Sequence, residues 1–246
     1  MSKSKRSLPT FKHSGDEKKK FVEKMFDDIS HRYDFLNHFL SLGVDIYWRN
    51  RFLKKLHIQN GKTILDVACG TGDIGFKILN KHNVKLINID LSKNMLSIAQ
   101  NKALKKNLHD IEFIHGDAEN LPLENNSVDY LTIAYGFRNI AHHENALLEF
   151  HRVLKNGGSL GILEFSIPKS KIIGMFFKFY FHKVLPKLAS LFSRTDAYHY
   201  LPESVDFFPS RKDICKKITN VGFQNSEFID LTWGISTIFL GQKNEK

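Results

Sequence analysis

The fold is decided by the stretch Thr63-Ile64-Leu65-Asp66-Val67-Ala68-Cys69-Gly70-Thr71-Gly72-Asp73-Ile74-Gly75. Its first five residues are mostly apolar and predict a buried strand, and a helix is predicted from about Gly72 to Asn80. A strand that passes through glycines directly into a helix is typical of open α/β sheets, whose ligands lie at the carboxyl ends of the strands. The stretch therefore predicts an α/β fold and the place of a ligand.

Short apolar runs alternate with amphipathic segments beyond this turn. The further predicted strands are 84–90, 111–115, 128–134, 158–165, 223–229 and 235–240, and predicted helices include 45–56, 142–154 and 210–220. Such alternation predicts a doubly wound, mostly parallel sheet with helices on both faces. The last two strands are separated by a short turn, so we expect them to pair antiparallel. This order resembles the class I S-adenosylmethionine-dependent methyltransferase fold.

The length and composition bound the number of domains. The chain has 246 residues, of which 42% are hydrophobic, and this is ordinary for one α/β domain. We expect a basic flexible tail at 1–16 and a single domain at 17–246. Within that domain we expect N-terminal helices at 17–57 and a helical insertion at 167–209 that covers the substrate site.

Charge and cysteine content narrow the partners. The net charge of +10 is compatible with nucleic acid, an anionic membrane or an acidic small molecule, and does not choose among them. The chain has two cysteines, Cys69 and Cys215, without a CxxC pair or a Cys/His cluster, so we expect neither disulfides nor a metal site. The tail lacks the apolar region of a secretory signal, and a reducing cytoplasm fits.

The glycine turn is compatible with two cofactors. Gly70 to Gly75 match the dinucleotide pattern G-x-G-x-x-G, and Asp90 follows at the end of the next strand, so an NAD(P)-dependent oxidoreductase is the alternative. However, Asp66 and Asp73 flank the turn, and two carboxylates would repel a pyrophosphate. They suit a ligand that carries an ammonium and a sulfonium. The expected cofactor is therefore S-adenosyl-L-methionine, with the glycines allowing close approach of the backbone.

Acidic residues at successive strand ends extend the predicted cofactor site. Asp90 has two acceptor oxygens for the two ribose hydroxyls. Asp117 is placed to bind the adenine amino group, and the short Ala118 leaves room for the base. From the residues alone, the predicted cofactor-binding set is Asp66, Gly70, Thr71, Gly72, Asp90, Asp117 and Ala118.

Longer segments of the chain are more specific than the glycine turn. They are Tyr33-Asp34-Phe35-Leu36-Asn37-His38-Phe39-Leu40-Ser41 with Trp48-Arg49, Gly136-Phe137-Arg138-Asn139, Arg152-Val153-Leu154-Lys155-Asn156-Gly157-Gly158, Leu163-Glu164-Phe165-Ser166, Tyr200-Leu201-Pro202-Glu203-Ser204 and Leu231-Thr232-Trp233-Gly234-Ile235. In them the chain resembles the UbiE/MenG family of quinone-biosynthesis C-methyltransferases, from about residue 20 to 242. It departs from the family at Asp45, usually His, at Asn156, usually Pro, and at Ala134, often Ser.

The resemblance implies a reaction and an acceptor. The reaction is S-adenosylmethionine-dependent methylation of a ring carbon on a polyprenylated quinol. We expect demethylmenaquinol as the acceptor, with the ubiquinone-precursor benzoquinol, or both, as the alternative. The resemblance also implies that Ala134 contacts the cofactor. A non-catalytic partner in a quinone-biosynthesis assembly is a further alternative.

Four residues of the matching segments are the predicted catalytic residues: Arg138, Asn139, Tyr33 and His38. Arg138 would stabilise a developing phenolate, and Asn139 would orient a water or the ring hydroxyl. Tyr33 shares a predicted helix face with Asn37 and could close over the site. The alternatives are an ion pair of Arg138 with Glu164 or Asp34, and a place for Tyr33 in the core.

An aromatic segment at 171–191 suggests how a lipid substrate is reached. Charges interrupt it, so it is a poor transmembrane span. On a helix its cations and its apolar residues occupy opposite sectors, namely Lys171, Lys178 and His182 against Phe176, Phe177, Phe179, Tyr180 and Val184. This pattern favours contact with an anionic membrane, or else a cap over the substrate pocket.

The remaining partner predictions follow from the same segments. The residues after the fourth strand, 134–139, lack the Asn/Asp-Pro-Pro-aromatic signature of nucleic-acid amino methyltransferases, so we expect no nucleic-acid partner. We expect a cytoplasmic protein at the inner face of the membrane, and a homodimer is left open.

Overall fold

Seven strands form one mixed sheet in the part of the chain that the computed structural model describes, residues 15–30, 41, 43–185 and 197–245. The strands are β1 Thr63–Val67, β2 Lys85–Asp90, β3 Ile111–His115, β4 Val128–Ala134, β5 Leu154–Phe165, β6 Phe223–Leu231 and β7 Ser236–Lys243. Their spatial order is β3-β2-β1-β4-β5-β7-β6. β7 runs antiparallel to both β5 and β6, and the other neighbours are parallel. The predicted doubly wound sheet with an antiparallel C-terminal strand is confirmed.

Helices lie on both faces of this sheet. They are α1 Gly15–Ile29, α2 Val44–Leu56, α3 Asp73–Leu79, α4 Lys93–Lys105, α5 His143–Val153, α6 Lys171–Phe179, α7 Ala197–Asp206 and α8 Arg211–Asn220. A π-helical turn, Tyr180–Val184, continues α6, and 3-10 helices lie at Phe137–Asn139 and Thr232–Gly234. In the described ranges, none of these helices combines the length and the apolar character needed to cross a bilayer.

Alternation along the strands divides the core into two layers. In β1, Leu65 belongs to the buried cluster that includes residues of α5 and α8, whereas its neighbour Ile64 belongs to the cluster that includes residues of α2 and α3. This follows because successive side chains of a strand point to opposite faces of the sheet. Full burial of each such side chain contributes about 1.5–3 kcal/mol. The two layers hold the sheet rigid, so the loops at its carboxyl edge are presented at fixed positions.

Most predicted element bounds agree with the structure. β3 and β4 have the predicted bounds, and Ser92 caps α4 as expected, since its Oγ accepts a hydrogen bond from the Met95 amide at 3.1 Å. β5 begins at Leu154 rather than at 158 because Leu154 pairs with Val128 before the ladder shifts. The predicted tail lies outside the described residues up to position 14, and α1 begins at Gly15 rather than at 17.

Candidate active site

A cleft of about 760 Å³, partly open to solvent, lies at the carboxyl ends of the first four strands. The loops that line it are 67–70 after β1, 90–92 after β2, 116–119 after β3, and 134–136 with 139–141 after β4. The predicted site residues among them are Gly70, Asp90, Asp117, Ala118, Ala134 and Asn139. The structure therefore brings together six residues predicted from separate segments.

Asp90 is held in the cleft by two backbone amides. Its Oδ2 accepts a hydrogen bond from the Gly70 amide at 2.7 Å, and its Oδ1 accepts one from the Ser92 amide at 2.8 Å. Burial nevertheless raises the pKa of Asp90 to about 6. Each carboxylate oxygen keeps a second lone pair, so the group can still accept hydrogen bonds from a ligand in the cleft.

Asp66 lies beneath the glycine turn rather than in the cleft lining. It is 1% exposed, and its Oδ1 accepts a hydrogen bond from Thr132 Oγ1 at 2.7 Å, while Oδ2 has no hydrogen-bond partner among the described residues. Burial raises the pKa of Asp66 to about 7. Two carboxyl groups with raised pKa values at one turn fit a cationic ligand, which would stabilise their ionised forms.

The other flanking carboxylate, Asp73, faces two cations. Arg49 Nη2 lies 3.7 Å and Lys102 Nζ lies 3.6 Å from its carboxylate oxygens. Lys102 also donates a hydrogen bond to Thr71 Oγ1 at 2.9 Å, and Thr71 is buried outside the cleft lining. Asp73 is therefore paired with cations from α2 and α4 and, like Asp66, lies outside the cleft lining. The role of the two flanking carboxylates toward the ligand stays a prediction.

Close backbone packing at the turn requires glycine at two positions. Gly72 has φ +88°, and a Cβ there would lie 2.5 Å from the Phe76 ring. Gly136, after β4, faces Ala68 so closely that a Cβ would lie 2.6 Å from the Ala68 Cβ. Gly72 does not line the cleft, so its contribution to the site is the shape of the turn.

Asp117 is ion-paired at the adenine end of the predicted site. Its Oδ2 lies 2.7 Å from Lys19 Nζ, and its Oδ1 accepts a hydrogen bond from the Glu119 amide at 2.9 Å. Lys19 Nζ also lies 3.3 Å from Glu119 Oε2. Lys19 could not be predicted from the sequence, because a basic residue near the N-terminus carries no local signal that it meets a loop after β3.

Arg138 is engaged by the protein rather than directed into the cleft. Its Nη1 lies 2.8 Å from Glu164 Oε1, and its backbone amide donates to Glu164 Oε2 at 3.1 Å. Its guanidinium also donates to Ser204 Oγ at 3.2 Å and to the Tyr135 carbonyl. The alternative of an ion pair with Glu164 is therefore confirmed, and Arg138 does not line the cleft.

Asn139 lines the cleft and is oriented by a tyrosine. Its Oδ1 accepts a hydrogen bond from the Tyr200 hydroxyl at 3.1 Å. Burial raises the pKa of Tyr200 to about 12, so the phenol stays protonated and remains a donor. This contact orients the side-chain amide, whose Oδ1 keeps a second lone pair and whose Nδ2 carries two donors. The other predicted catalytic residues, Tyr33 and His38, lie outside the described residues, as do Asp34 and Asn37.

Comparisons with known proteins agree with this geometry. A family model described as the ubiE/COQ5 methyltransferase family matches residues 12–243. A relative from Geotalea uraniireducens (strain Rf4), named ubiquinone/menaquinone biosynthesis C-methyltransferase UbiE, is 40% identical over 230 residues, which are 92% of this chain and 98% of the relative. A demethylmenaquinone methyltransferase from Staphylococcus saprophyticus is 36% identical over 229 residues, which are 92% of this chain and 97% of that one.

The fold has solved counterparts. A SAM-dependent methyltransferase from Thermotoga maritima has a TM-score of 0.65 and covers 91% of this chain and 100% of its own, at 19% identity. At that identity the likeness concerns the fold, and it extends beyond the glycine turn to the whole sheet.

Proposed function

The chain belongs to the ubiE/COQ5 methyltransferase family, and we propose that it methylates a ring carbon of a polyprenylated quinol, most specifically demethylmenaquinol. It is a methyltransferase that uses S-adenosylmethionine, so the glycine turn serves this cofactor and not NAD(P). One similar relative is named for both ubiquinone and menaquinone biosynthesis and another for demethylmenaquinone alone. The benzoquinol precursor of ubiquinone is therefore the second candidate acceptor.

The proposal rests on how much of the chain matches its relatives. Identity near 40% runs over 92% of the chain, so it includes the region after β5 as well as the cofactor half. A likeness confined to the cofactor half would leave the acceptor open, because that half is shared by methyltransferases with unrelated acceptors.

The cleft offers matching groups for the ribose and the adenine of the cofactor. We propose that Asp90 accepts the ribose hydroxyls, that Asp117 and Ala118 hold the adenine, and that Gly70 and Ala134 form the floor. When bound, the cofactor supplies a methyl group activated by a sulfonium. Asp66, buried below the turn with its pKa raised to about 7, adds negative charge in its ionised form, which this cationic ligand favours.

The acceptor chemistry requires an electron-rich ring. An arene carbon attacks an activated methyl group readily only when the ring is a reduced hydroquinone, and loss of a phenolic proton enriches it further. We propose that Asn139, held by Tyr200, orients the ring hydroxyl or a water beside the cofactor. Tyr33 and His38 stay proposed members of the site, and Arg138 is proposed to act by shaping the loop 135–139 through Glu164.

The outer face of α6 is proposed to meet the membrane that holds the substrate. Its exposed apolar side chains recur at helical spacing and are Ile172, Met175, Phe176 and Phe179, each 61–68% exposed. Exposed Lys171, Lys178 and Lys183 accompany them and suit anionic headgroups. The sequence-based placement of Phe177 on this face is wrong, because Phe177 is buried against Phe181 and Val205.

The exposed side chain of Trp233 also supports this orientation of the protein on the membrane. Phe165, the last residue of β5 before α6, pairs with Ser236, which pairs in turn with Leu231 of β6. Trp233, two residues beyond Leu231, is 73% exposed at that same edge of the sheet. Tryptophan favours the headgroup region of bilayers. We accordingly propose a cytoplasmic protein at the inner face of the membrane, and a homodimer stays a prediction.

The proposal is tested by methyl transfer. Purified protein is incubated with S-adenosylmethionine and either demethylmenaquinol or the benzoquinol precursor, each kept reduced, and the products are identified by mass spectrometry. We expect one added methyl on the demethylmenaquinol ring and none on the oxidised quinone, which is the matched control. Absence of product from both quinols would overturn the proposal, and product from the benzoquinol alone would reassign the acceptor.

A further inference from the structure

Helix α1 lies across the cofactor cleft. Lys19, Val22, Glu23 and Phe26 of this helix line the cleft together with the strand-end loops. Their spacing of three and four residues places them on one face of the helix. The cleft thus has a floor made by the sheet edge and a wall made by a segment that precedes the sheet in sequence.

Lys19 joins this wall to the loop after β3. Its ammonium lies 2.7 Å from Asp117 and 3.3 Å from Glu119 Oε2. Glu119 also accepts hydrogen bonds from His142, through Oε1 from the backbone amide and through Oε2 from Nδ1. Burial opposes the charge of Lys19, but the two carboxylates raise its pKa overall. Lys19 therefore stays cationic, and it fixes the carboxylate of Asp117 at the mouth of the cleft.

Two further contacts join α1 to the neighbouring loops. Lys18 Nζ donates to the carbonyls of Arg138 and Ile140 after β4, at 3.1 and 2.8 Å. Asp27 accepts hydrogen bonds from the hydroxyl of Ser92 and from the Asn94 amide, after β2. Three polar residues of α1 thus contact three different loops of the cleft. These polar contacts add to the packing of the apolar face of α1.

The ammonium of Lys18 is harder to keep charged than that of Lys19. Burial, together with the nearby Arg138 guanidinium, lowers the pKa of Lys18 to about 8, so keeping that ammonium charged is costly. Lys19 faces two carboxylates instead and carries the stronger of the two attachments.

We propose that α1 is the outer wall of the S-adenosylmethionine cleft and that Lys19 is the positioning residue that holds it closed over the adenosine part of the cofactor. Cofactor exchange then requires α1 to lift, which breaks the Lys19 bridge to Asp117 and Glu119. In the closed state Val22 and Phe26 cover the bound cofactor, and Lys19 keeps Asp117 in place. The inference rests on the proposed use of S-adenosylmethionine and is independent of the acceptor.

The first test measures binding of S-adenosylhomocysteine, the product form of the cofactor. Lys19→Met keeps the length of the side chain and removes its charge, whereas Lys24→Met makes the same change at an exposed position of α1. For Lys19→Met we expect about tenfold weaker binding, the effect of one charge-assisted hydrogen bond, seen mainly as faster dissociation in stopped-flow competition. Lys24→Met should match the wild type, and Lys19→Arg should restore most of the affinity.

Hydrogen exchange on the unmodified protein provides a test that needs no variant. Addition of S-adenosylhomocysteine should slow exchange of the backbone amides of 15–29 at least as strongly as those of the loop after β2. Unchanged exchange in α1 would overturn the proposal, whatever the variants show. Equal affinity and equal dissociation rates for Lys19→Met, Lys24→Met and wild type would overturn the role of Lys19.

The outcomes also separate this inference from the proposed reaction. If the wild type binds S-adenosylhomocysteine in a Lys19-dependent way but methylates neither quinol, the proposed acceptor fails and the inference stands. If the wild type methylates a quinol but S-adenosylhomocysteine does not slow hydrogen exchange of the α1 amides, the inference fails and the proposed function stands.

Discussion

The backbone amide of Gly70 donates a hydrogen bond to Asp90 Oδ2, with 2.7 Å between nitrogen and oxygen. This contact joins the glycine turn after β1 to the end of β2, so the two most characteristic elements of the cofactor site support each other directly. It also explains why a carboxylate can be retained here although burial raises its pKa to about 6.

The affinity for S-adenosylmethionine should fall as the pH drops through about 6. The pKa of Asp90 is raised in the free protein, so below pH 6 the group becomes protonated and loses an acceptor that the ribose needs. Binding at pH 6 should therefore release protons, which calorimetry in two buffers of different ionisation enthalpy detects. Asp90→Asn should bind about tenfold or more weakly and lose the part of this proton release that comes from Asp90, leaving the part that comes from Asp66. An affinity that is flat from pH 5 to 8 would argue against a role for the Asp90 carboxylate.

Gly136→Ala should destabilise the protein, and Ala68→Gly should rescue it. A Cβ at 136 would lie 2.6 Å from the Ala68 Cβ, and overpacking of this kind costs about 1–3 kcal/mol. Ala68 has φ +49°, so glycine there relieves backbone strain of about 1 kcal/mol. Thermal denaturation of the two single variants and the double variant measures the coupling. Additive effects would show that the two residues do not compete for the same space.

Arg138→Met should lower stability by about 3–5 kcal/mol, because it leaves the buried Glu164 carboxylate without its partner. Lys85→Met is the control, since the Lys85–Glu112 pair is exposed and worth about 1 kcal/mol or less. Denaturant unfolding compares the two variants. An Arg138→Met protein that is as stable as the wild type yet inactive would instead assign Arg138 a direct role in the reaction.

Tyr200→Phe should slow methyl transfer while leaving cofactor binding close to that of the wild type. The change removes the hydroxyl that donates to Asn139 Oδ1, so the Asn139 amide is no longer oriented. We expect kcat to fall about tenfold, in keeping with loss of a positioning contact. Tyr47→Phe, at an exposed position of α2, serves as the control. If both variants turn over equally fast, Asn139 does not depend on Tyr200.

The protein should float with anionic vesicles at low salt and less well at high salt, because screening weakens the attraction of lysines to headgroups. The double change Phe176→Ser and Phe179→Ser should abolish most of this binding. The matched control replaces Leu104 and Leu148, which are equally exposed but lie on α4 and α5. Absence of the wild type from the vesicle fraction at low salt would contradict the membrane proposal.

Sequence alone determined the strands of the sheet and part of the lining of the proposed cofactor cleft. The bounds of β3 and β4 were predictable because both segments are rich in β-branched and aromatic residues, and the cap at Ser92 because its hydroxyl meets an amide three residues later. Gly70 and Asp90 were predictable as neighbours because parallel strands bring their carboxyl ends to one edge of the sheet.

Tertiary structure alone decided which charges meet. Arg138 is paired with Glu164, Asp73 with Arg49 and Lys102, and Asp117 with Lys19. The physical reason is that strand and helix periodicity are local properties of the chain, whereas an ion pair depends on which loops and helices pack side by side. The wall that α1 forms over the cleft also depends on packing, since the basic residues of α1 acquire their partners only when the sheet edge is assembled.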